Sequence, residues 1–388
     1  MHVDIENIVL MISLSVVLLV SPFISNKLKF PISVVEITLG IILGFFHFIN
    51  PHNEYFEILA EAGFLFLMLL AGMEVNLKDL IKIDRKIFKK SFLFLFLMYI
   101  LAFWSAAIFG YGFIYIIIFA LISVGLLLSV QQEIGKTQWL NLALTIGIIG
   151  ELISILMLTI LSGYVKYGLS KELLINIGVL IAFLIFMGFL FVLSRTLFWW
   201  YPNLKHSLMP GVDKYHQDVR IAMSLFFIMI AVLIILNMDA VLGAFIVGVF
   251  LRTFFDHNHK LEQKLTPFGF GFLITIFFVY VGSSIDLASF TVDMLEDVVL
   301  LTSIMIIIRI VSGFVFLKEL KLKNTLLLGI SLSMPLTLLI ATATLAKDYH
   351  YITETEYVEL VITSVVEVVA VMFGVKFINK LKLQKKDS

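Results

Sequence analysis

Apolar residues run through this chain in long unbroken blocks, and the polar residues gather in short clusters between them. Blocks of about 20 residues match a helix that crosses a bilayer. They lack the in-and-out alternation of a transmembrane β-barrel strand. The pattern predicts thirteen spans, at roughly residues 7–25, 33–49, 57–74, 91–109, 112–131, 139–161, 173–194, 219–236, 240–255, 268–284, 297–316, 325–346 and 357–377. The expected fold is an all-α polytopic membrane protein. Only Asn237-Met238-Asp239 separates the eighth span from the ninth, so one continuous helix is the alternative division.

Charge placement tests the count. With the N-terminus outside and the spans alternating, 24 of the 28 basic residues fall in inside joints and the C-terminal tail. Only Lys166, Lys171 and Lys347 fall outside, and Arg309 lies within a span. This asymmetry follows the positive-inside rule and predicts an outside N-terminus and a cytoplasmic C-terminus in an inner or plasma membrane. One span more or fewer would invert everything after it.

Composition narrows the function classes. The chain is 61% hydrophobic and 14% charged, with mean hydropathy +1.06, which excludes a soluble domain. Its formal net charge is zero, so nucleic acid is not an expected partner. With no cysteine there is no disulfide or thiolate chemistry. The start, Met1-His2-Val3-Asp4, is acidic, so the first block reads as a retained span and not a signal peptide. The longest joints, 75–90 and 195–218, are too short for a folded domain. Residues 1–388 therefore read as one membrane domain with no soluble regulatory part. All eight histidines fall in joints or at span ends and no His-Glu-x-x-His motif occurs, so an intramembrane enzyme is disfavoured and no resident cofactor is expected.

Candidate chemistry centres on Glu151, near the middle of the sixth span. A charged side chain at that depth costs roughly 2.5–3.5 kcal/mol on insertion scales. Ala143, Gly147, Gly150 and Ser154 recur at helical spacing, so Glu151 borders a small-residue stripe and should face the bundle. It reads either as an ion or proton site or as a buried acid held by a structural arginine. Two spans carry interruptions. The fifth has Ser123 and Gly125, then Ser129 and Gln131; the twelfth has Ser331, Ser333, Pro335 and Thr337. Pro335 removes a backbone N–H, and the hydroxyls can satisfy what it frees. The two interrupted spans are seven apart, an odd offset, so spans 1–6 and 8–13 form candidate inverted repeats with the seventh as linker. Helices broken at corresponding positions of two halves mark a transporter site near the midplane.

Arg309 is a second charge at depth and needs a partner. It reads as a counter-charge that tunes Glu151 or as a clamp on helix ends. Glu367, on the thirteenth span, is a secondary candidate. Glu36, Glu61, Glu74, Asp239, Asp286 and Glu359 lie near span ends and are expected to be solvated. Ser123, Ser333 and Thr337 could add neutral oxygens around a hard monovalent metal ion held by Glu151.

Four segments together resemble the Kef-like branch of the monovalent cation:proton antiporters, within the sodium/hydrogen exchanger superfamily. They are Phe30 to Gly44 with its Pro, Glu and two Gly; Ala60 to Leu77 with Ala-Gly-Met-Glu; Leu242 to Gly248; and Phe277 to Gly282. The resemblance implies a core domain with two crossed, unwound helices and a separate dimerisation domain, hence a homodimer. It implies that the transported ion meets an acidic residue on the helix after the first unwound one, here the sixth span, and that Arg309 is the basic residue of the late core helix. Members usually carry Asp preceded by Asp, Asn or Gln, where this chain has Gly150-Glu151. On a second alignment Gly-Glu precedes an Asn-Asp pair by one turn, and Ser154-Ile155 stands in its place.

The leading expectation is exchange of protons for Na⁺ or K⁺. A carboxylate-substrate symporter and a non-transporting membrane sensor or scaffold are the alternatives. Topology is directly testable in this cysteine-free chain. Single cysteines replacing Ser388 and Asn53 should label from opposite sides of the membrane. Labelling of position 388 from outside intact cells would overturn the orientation.

Overall fold

The computed structural model describes residues 5–28, 30–75, 83–124, 126–127, 130–131, 135, 137–168, 170–201, 216–236, 240–254, 259–285 and 291–380. In chain order the helices are α1 (Ile5–Leu28), α2 (Ile32–Phe45), α3 (Glu54–Glu74), α4 (Arg85–Phe109), α5 (Phe113–Phe119), α6 (Gln138–Tyr167), α7 (Lys171–Trp200), α8 (Gln217–Ile235) and α9 (Ala240–Phe254). Then come α10 (His259–Phe268), a π-helical turn Gly269–Leu273, α11 (Ile274–Ser283), α12 (Val292–Gly313), a 3₁₀ turn Phe314–Phe316, α13 (Leu317–Ser331), α14 (Leu336–Asp348) and α15 (Glu354–Lys380).

Each of the thirteen predicted spans finds its helix. The eighth and ninth are separate, as α8 and α9, and residues 237–239 between them lie outside the described residues. The tenth span is α10 and α11 joined through the π turn. The twelfth is α13 and α14 with a break between. Polar residues of the joints start helices by accepting the orphan N–H groups of the first turn. Asn53 accepts from Tyr55 and Phe56, Asp84 from Lys86, and Ser170 from Leu173. Gly110 ends α4 in the left-handed region, at φ 74°.

The chain divides into two compact units, each built from two separate stretches. The first comprises Met1–Lys78 and Thr159–Ile285, and the second Asp79–Leu158 and Asp286–Ser388. In the first unit the segments that carry the family resemblance meet in pairs. A Cβ on Gly72 of α3 would sit 2.1 Å from the Phe245 carbonyl oxygen of α9, and one on Gly248 would sit 2.1 Å from that of Leu69. Likewise a Cβ on Gly282 of α11 would sit 2.1 Å from the Ile37 carbonyl oxygen of α2. Lipid tails are as apolar as leucine, so helices in a bilayer associate by close packing, and small residues permit it. In the second unit α15 packs on α12, α13 and α14, while α4 packs on α5 and α12. That unit holds both helix breaks.

Gly248→Ala should destabilise the first unit by about 1–3 kcal/mol, because the backbone of α3 cannot yield to the added methyl. Gly178→Ala, where the added carbon meets nothing within 4 Å, should be neutral. Thermal unfolding in detergent measures both; equal melting of the two variants would refute the packing argument.

Candidate functional site

Glu151 is fully buried in the second unit, at 0% exposure. The small-residue stripe beside it serves as expected. A Cβ on Gly150 would sit 2.8 Å from Ile122, and one on Gly147 would sit 3.0 Å from Val124. The missing side chains on α6 therefore admit the interrupted stretch of the fifth span. There the α-helix stops at Phe119, and residues 121–124 leave regular structure. The Ile122 N–H donates to Ser154 Oγ at 3.1 Å, so the last member of the stripe satisfies a backbone group that the break exposes. Ser123 Oγ donates to Glu151 Oε1 at 3.1 Å, and the Val124 N–H reaches Oε2 at 3.4 Å. Gly125 and Ser129, the other sequence signals of this break, lie outside the described residues.

The twelfth span breaks where proline forbids an unbroken helix. α13 ends at Ser331, residues 333–335 are irregular, and Pro335 stands at the head of α14. Thr337 Oγ1, in the first turn of α14, lies 3.3 Å from Ser123 Oγ. With Ser123 donating to Glu151, its oxygen is left to accept from Thr337. The two breaks thus meet through one hydroxyl pair, with a carboxylate at its end.

Ser333 does not join Glu151. Its hydroxyl donates to Glu367 Oε1. Arg309 does not meet Glu151 either, which differs from the first expectation for its partner. Its Nη1 lies 3.7 Å from Glu367 Oε1 and donates to the Met305 carbonyl at 2.7 Å, and its Nη2 donates to the Leu121 carbonyl at 2.5 Å. The planar fork suits this division, with one arm on a carboxylate and the other on the bare end of a helix, where the partial charge is negative. The site therefore has two halves. Glu151, Ser123 and Thr337 form a half whose polar partners among the described residues are all neutral. Arg309, Glu367 and Ser333 form a half whose charges cancel.

Two acids expected to be solvated are buried. Glu36 is 2% exposed, and its Oε1 accepts from Thr275 Oγ1 at 2.8 Å, because the glycine contacts between α2 and α11 leave no room for solvent. Glu359 is 8% exposed. Glu61 is exposed as expected, while Asp239 and Asp286 lie outside the described residues. The Leu121 carbonyl and Val124 N–H were invisible in the sequence, since any residue carries them; only the break frees them to meet Arg309 and Glu151. No group of three or more His, Cys, Asp or Glu side chains able to hold a metal occurs among the described residues. A cation here would be held by one carboxylate and neutral oxygens.

Comparison with known proteins bears on what such a site is for. Residues 14–378 match the family described as the sodium/hydrogen exchanger, transmembrane. A probable Na⁺/H⁺ antiporter of Methanocaldococcus jannaschii is 28% identical over 97% of this chain and 98% of its own length. A putative Na⁺/H⁺ antiporter of Bacillus subtilis is 26% identical over 88% of this chain and 58% of its own length, and a K⁺/H⁺ antiporter subunit of that organism is 25% identical over 70% and 68%. The solved structure of the sodium proton antiporter MjNhaP1 from M. jannaschii superposes with a TM-score of 0.63, covering 96% of this chain and 99% of that one at 17% identity, which shows a shared fold.

The Arg309 fork yields a stability prediction. Arg309→Ala leaves Glu367 buried without its counter-charge and should cost about 3–5 kcal/mol. Arg309→Lys should recover only part of this, because an ammonium cannot span both Glu367 and the Leu121 carbonyl. Thermal unfolding ranks the three proteins, and a lysine variant as stable as the parent would show that the fork geometry is unimportant.

Proposed function

We propose that this chain, which belongs to the sodium/hydrogen exchanger family, exchanges protons for Na⁺ or K⁺ by competition at Glu151. The observation that carries this reading is the neutrality of every described group bonded to that carboxylate. Ser123 and Val124 donate to it, Thr337 backs Ser123, and Arg309 is engaged elsewhere. An ionised carboxylate in a low-dielectric interior needs a balancing positive charge. With none supplied among the described residues, either a proton or a cation supplies it. Both cannot, because a protonated carboxyl no longer attracts the cation.

Occupancy by one or the other therefore links the two fluxes. Ser123 and Thr337 add neutral oxygens to the carboxylate, a donor set suited to a hard alkali cation. Helix breaks supply further carbonyl oxygens without opening the backbone to lipid. Access alternates between the two membrane faces, as expected for paired repeats around a midplane site. The related proteins named for Na⁺/H⁺ and K⁺/H⁺ exchange support the class of reaction. A cytoplasmic C-terminus completes this reading and rests on the placement of the basic residues, and assembly as a homodimer rests on the resemblance of the four segments. So does the finer placement in the Kef-like branch. A carboxylate substrate would require a free cationic group, and Arg309 is committed to Glu367 and Leu121.

Glu151→Gln keeps the shape of the side chain but cannot ionise, so exchange should fall to background while the protein still folds. Glu151→Asp should retain partial exchange with an altered pH profile. In the parent, the cation concentration for half-maximal exchange should rise as pH falls, because protons occupy the same oxygens. Cation-driven proton flux in everted vesicles measures all three. Robust exchange by Glu151→Gln would remove the site from this residue.

A further inference from the structure

α12 and α15 pack side by side in the second unit and run in the same direction. Their partnered residues advance together. Asp297 and Glu356 are close enough to Glu359 for their charges to act on it near one end, and Arg309 meets Glu367 further along. On α15, Glu356, Glu359, Thr363 and Glu367 recur at spacings of three, four and four, which is one face of a helix. On α12, Thr302 and Arg309 lie two turns apart, also on one face. The Arg309–Glu367 contact turns these two faces toward each other, so a polar seam runs between the helices.

The seam dries inward. Asp297 and Glu356 are half-buried, Glu359 and Thr302 are buried, and Thr363 and Glu367 are both 0% exposed. Thr302 Oγ1, Thr363 Oγ1 and Glu367 Oε2 are buried and have no hydrogen-bond partner among the described residues. A helical threonine has a ready partner in the carbonyl four residues back. Thr38, Thr253 and Thr342 use it in this chain, at 2.7 Å each. Thr302 and Thr363 do not. Polar atoms left this way inside a protein are ordinarily served by ordered water. Glu367 is polarised in the same sense. Ser333 and Arg309 both hold Oε1, which leaves Oε2 for a ligand.

We propose that this seam is a hydrated proton route ending on Oε2 of Glu367, which makes Glu367 a second proton-exchanging carboxylate, reached from the membrane face at which α15 begins. The inference rests on the exchange reading above and adds a proton entry to it. At each relay step one O–H bond forms and one breaks; at the inner end a water gives its excess proton to Oε2, and the carboxylate becomes a neutral carboxyl. Protonation weakens the hold of Glu367 on Arg309 and Ser333, and so acts on the second helix break. The seam suits a proton and not an alkali cation. A relay needs only a file of hydrogen-bonding atoms, whereas a metal ion needs a shell of oxygens at about 2–3 Å. Of the charged groups on the helices around α15, Arg309 alone reaches Glu367 among the described residues. On α13, Lys323 ends on the Asn379 carbonyl and Glu319 on Lys90; on α14, Lys347 ends on Glu354.

Infrared difference spectroscopy on reconstituted vesicles tests this. A carboxyl C=O band that is absent from Glu367→Gln should appear when the medium at the α15-start face is acidified. It should persist in Glu151→Gln, so the outcome does not depend on transport and stands apart from the reading of Glu151. Thr363→Val should slow the response of that band to a pH jump by about tenfold or more, and Thr363→Ser should restore it. If Thr363→Val fails to fold, Thr302→Val makes the same test. Absence of a Glu367 band, or an unchanged rate in the folded valine variant, would overturn the route.

Discussion

A helix that stops inside a bilayer leaves backbone donors and acceptors with no water to take them, and the second unit is arranged around that problem. The fifth span ends its helix at Phe119 and the twelfth at Ser331. What satisfies the stranded groups is also what builds the site. Ser154 takes the Ile122 N–H, Arg309 takes the Leu121 carbonyl, and Glu151 takes the Val124 N–H. The same backbone that would be a liability in lipid becomes a set of oriented dipoles around a carboxylate. Removing side chains at Gly147 and Gly150 is what lets α6 come close enough to serve it.

The division of charge follows from this arrangement. One guanidinium serves a helix end and a carboxylate together, so it is unavailable to a second carboxylate. Glu367 is thereby held in a neutral pair, and Glu151 is left among neutral donors. An acid with neutral neighbours responds to whatever cation reaches it, which is the property an exchanger needs. An acid paired with an arginine loosens that pair when it takes a proton. In the proposed mechanism the two carboxylates of this unit thus take different parts, although both are fully buried glutamates.

The first unit is built on other terms. Its close contacts are backbone against backbone, through Gly72 and Gly248 and through Gly40 and Gly282, and they seal Glu36 against Thr275. The glycine-bearing segments that resemble a known family therefore serve as packing surfaces. Their pattern carries family membership because few residues tolerate contact this close.

Much of the fold was legible in the chain itself. Hydropathy encodes depth, and so it located thirteen spans, the breaks at Ser123 and Pro335 and the deep acid Glu151. Helical period placed Glu151 beside the stripe of Gly147 and Gly150. What hydropathy cannot encode is partnership. Arg309 lies far along the chain from Leu121 and near neither Glu151 nor Glu367 in sequence, so its choice between two acids was decided by the lateral packing of α12 against α15. The same packing took Ser333 to Glu367 and left Thr337 with Ser123, though the two stand on either side of Pro335. Glu36 and Glu359 lie near span ends, where depth alone predicts solvation; neighbouring helices cover them instead. Depth is a property of one segment in its solvent, whereas pairing depends on segments distant in the chain, and only the tertiary structure brings those together.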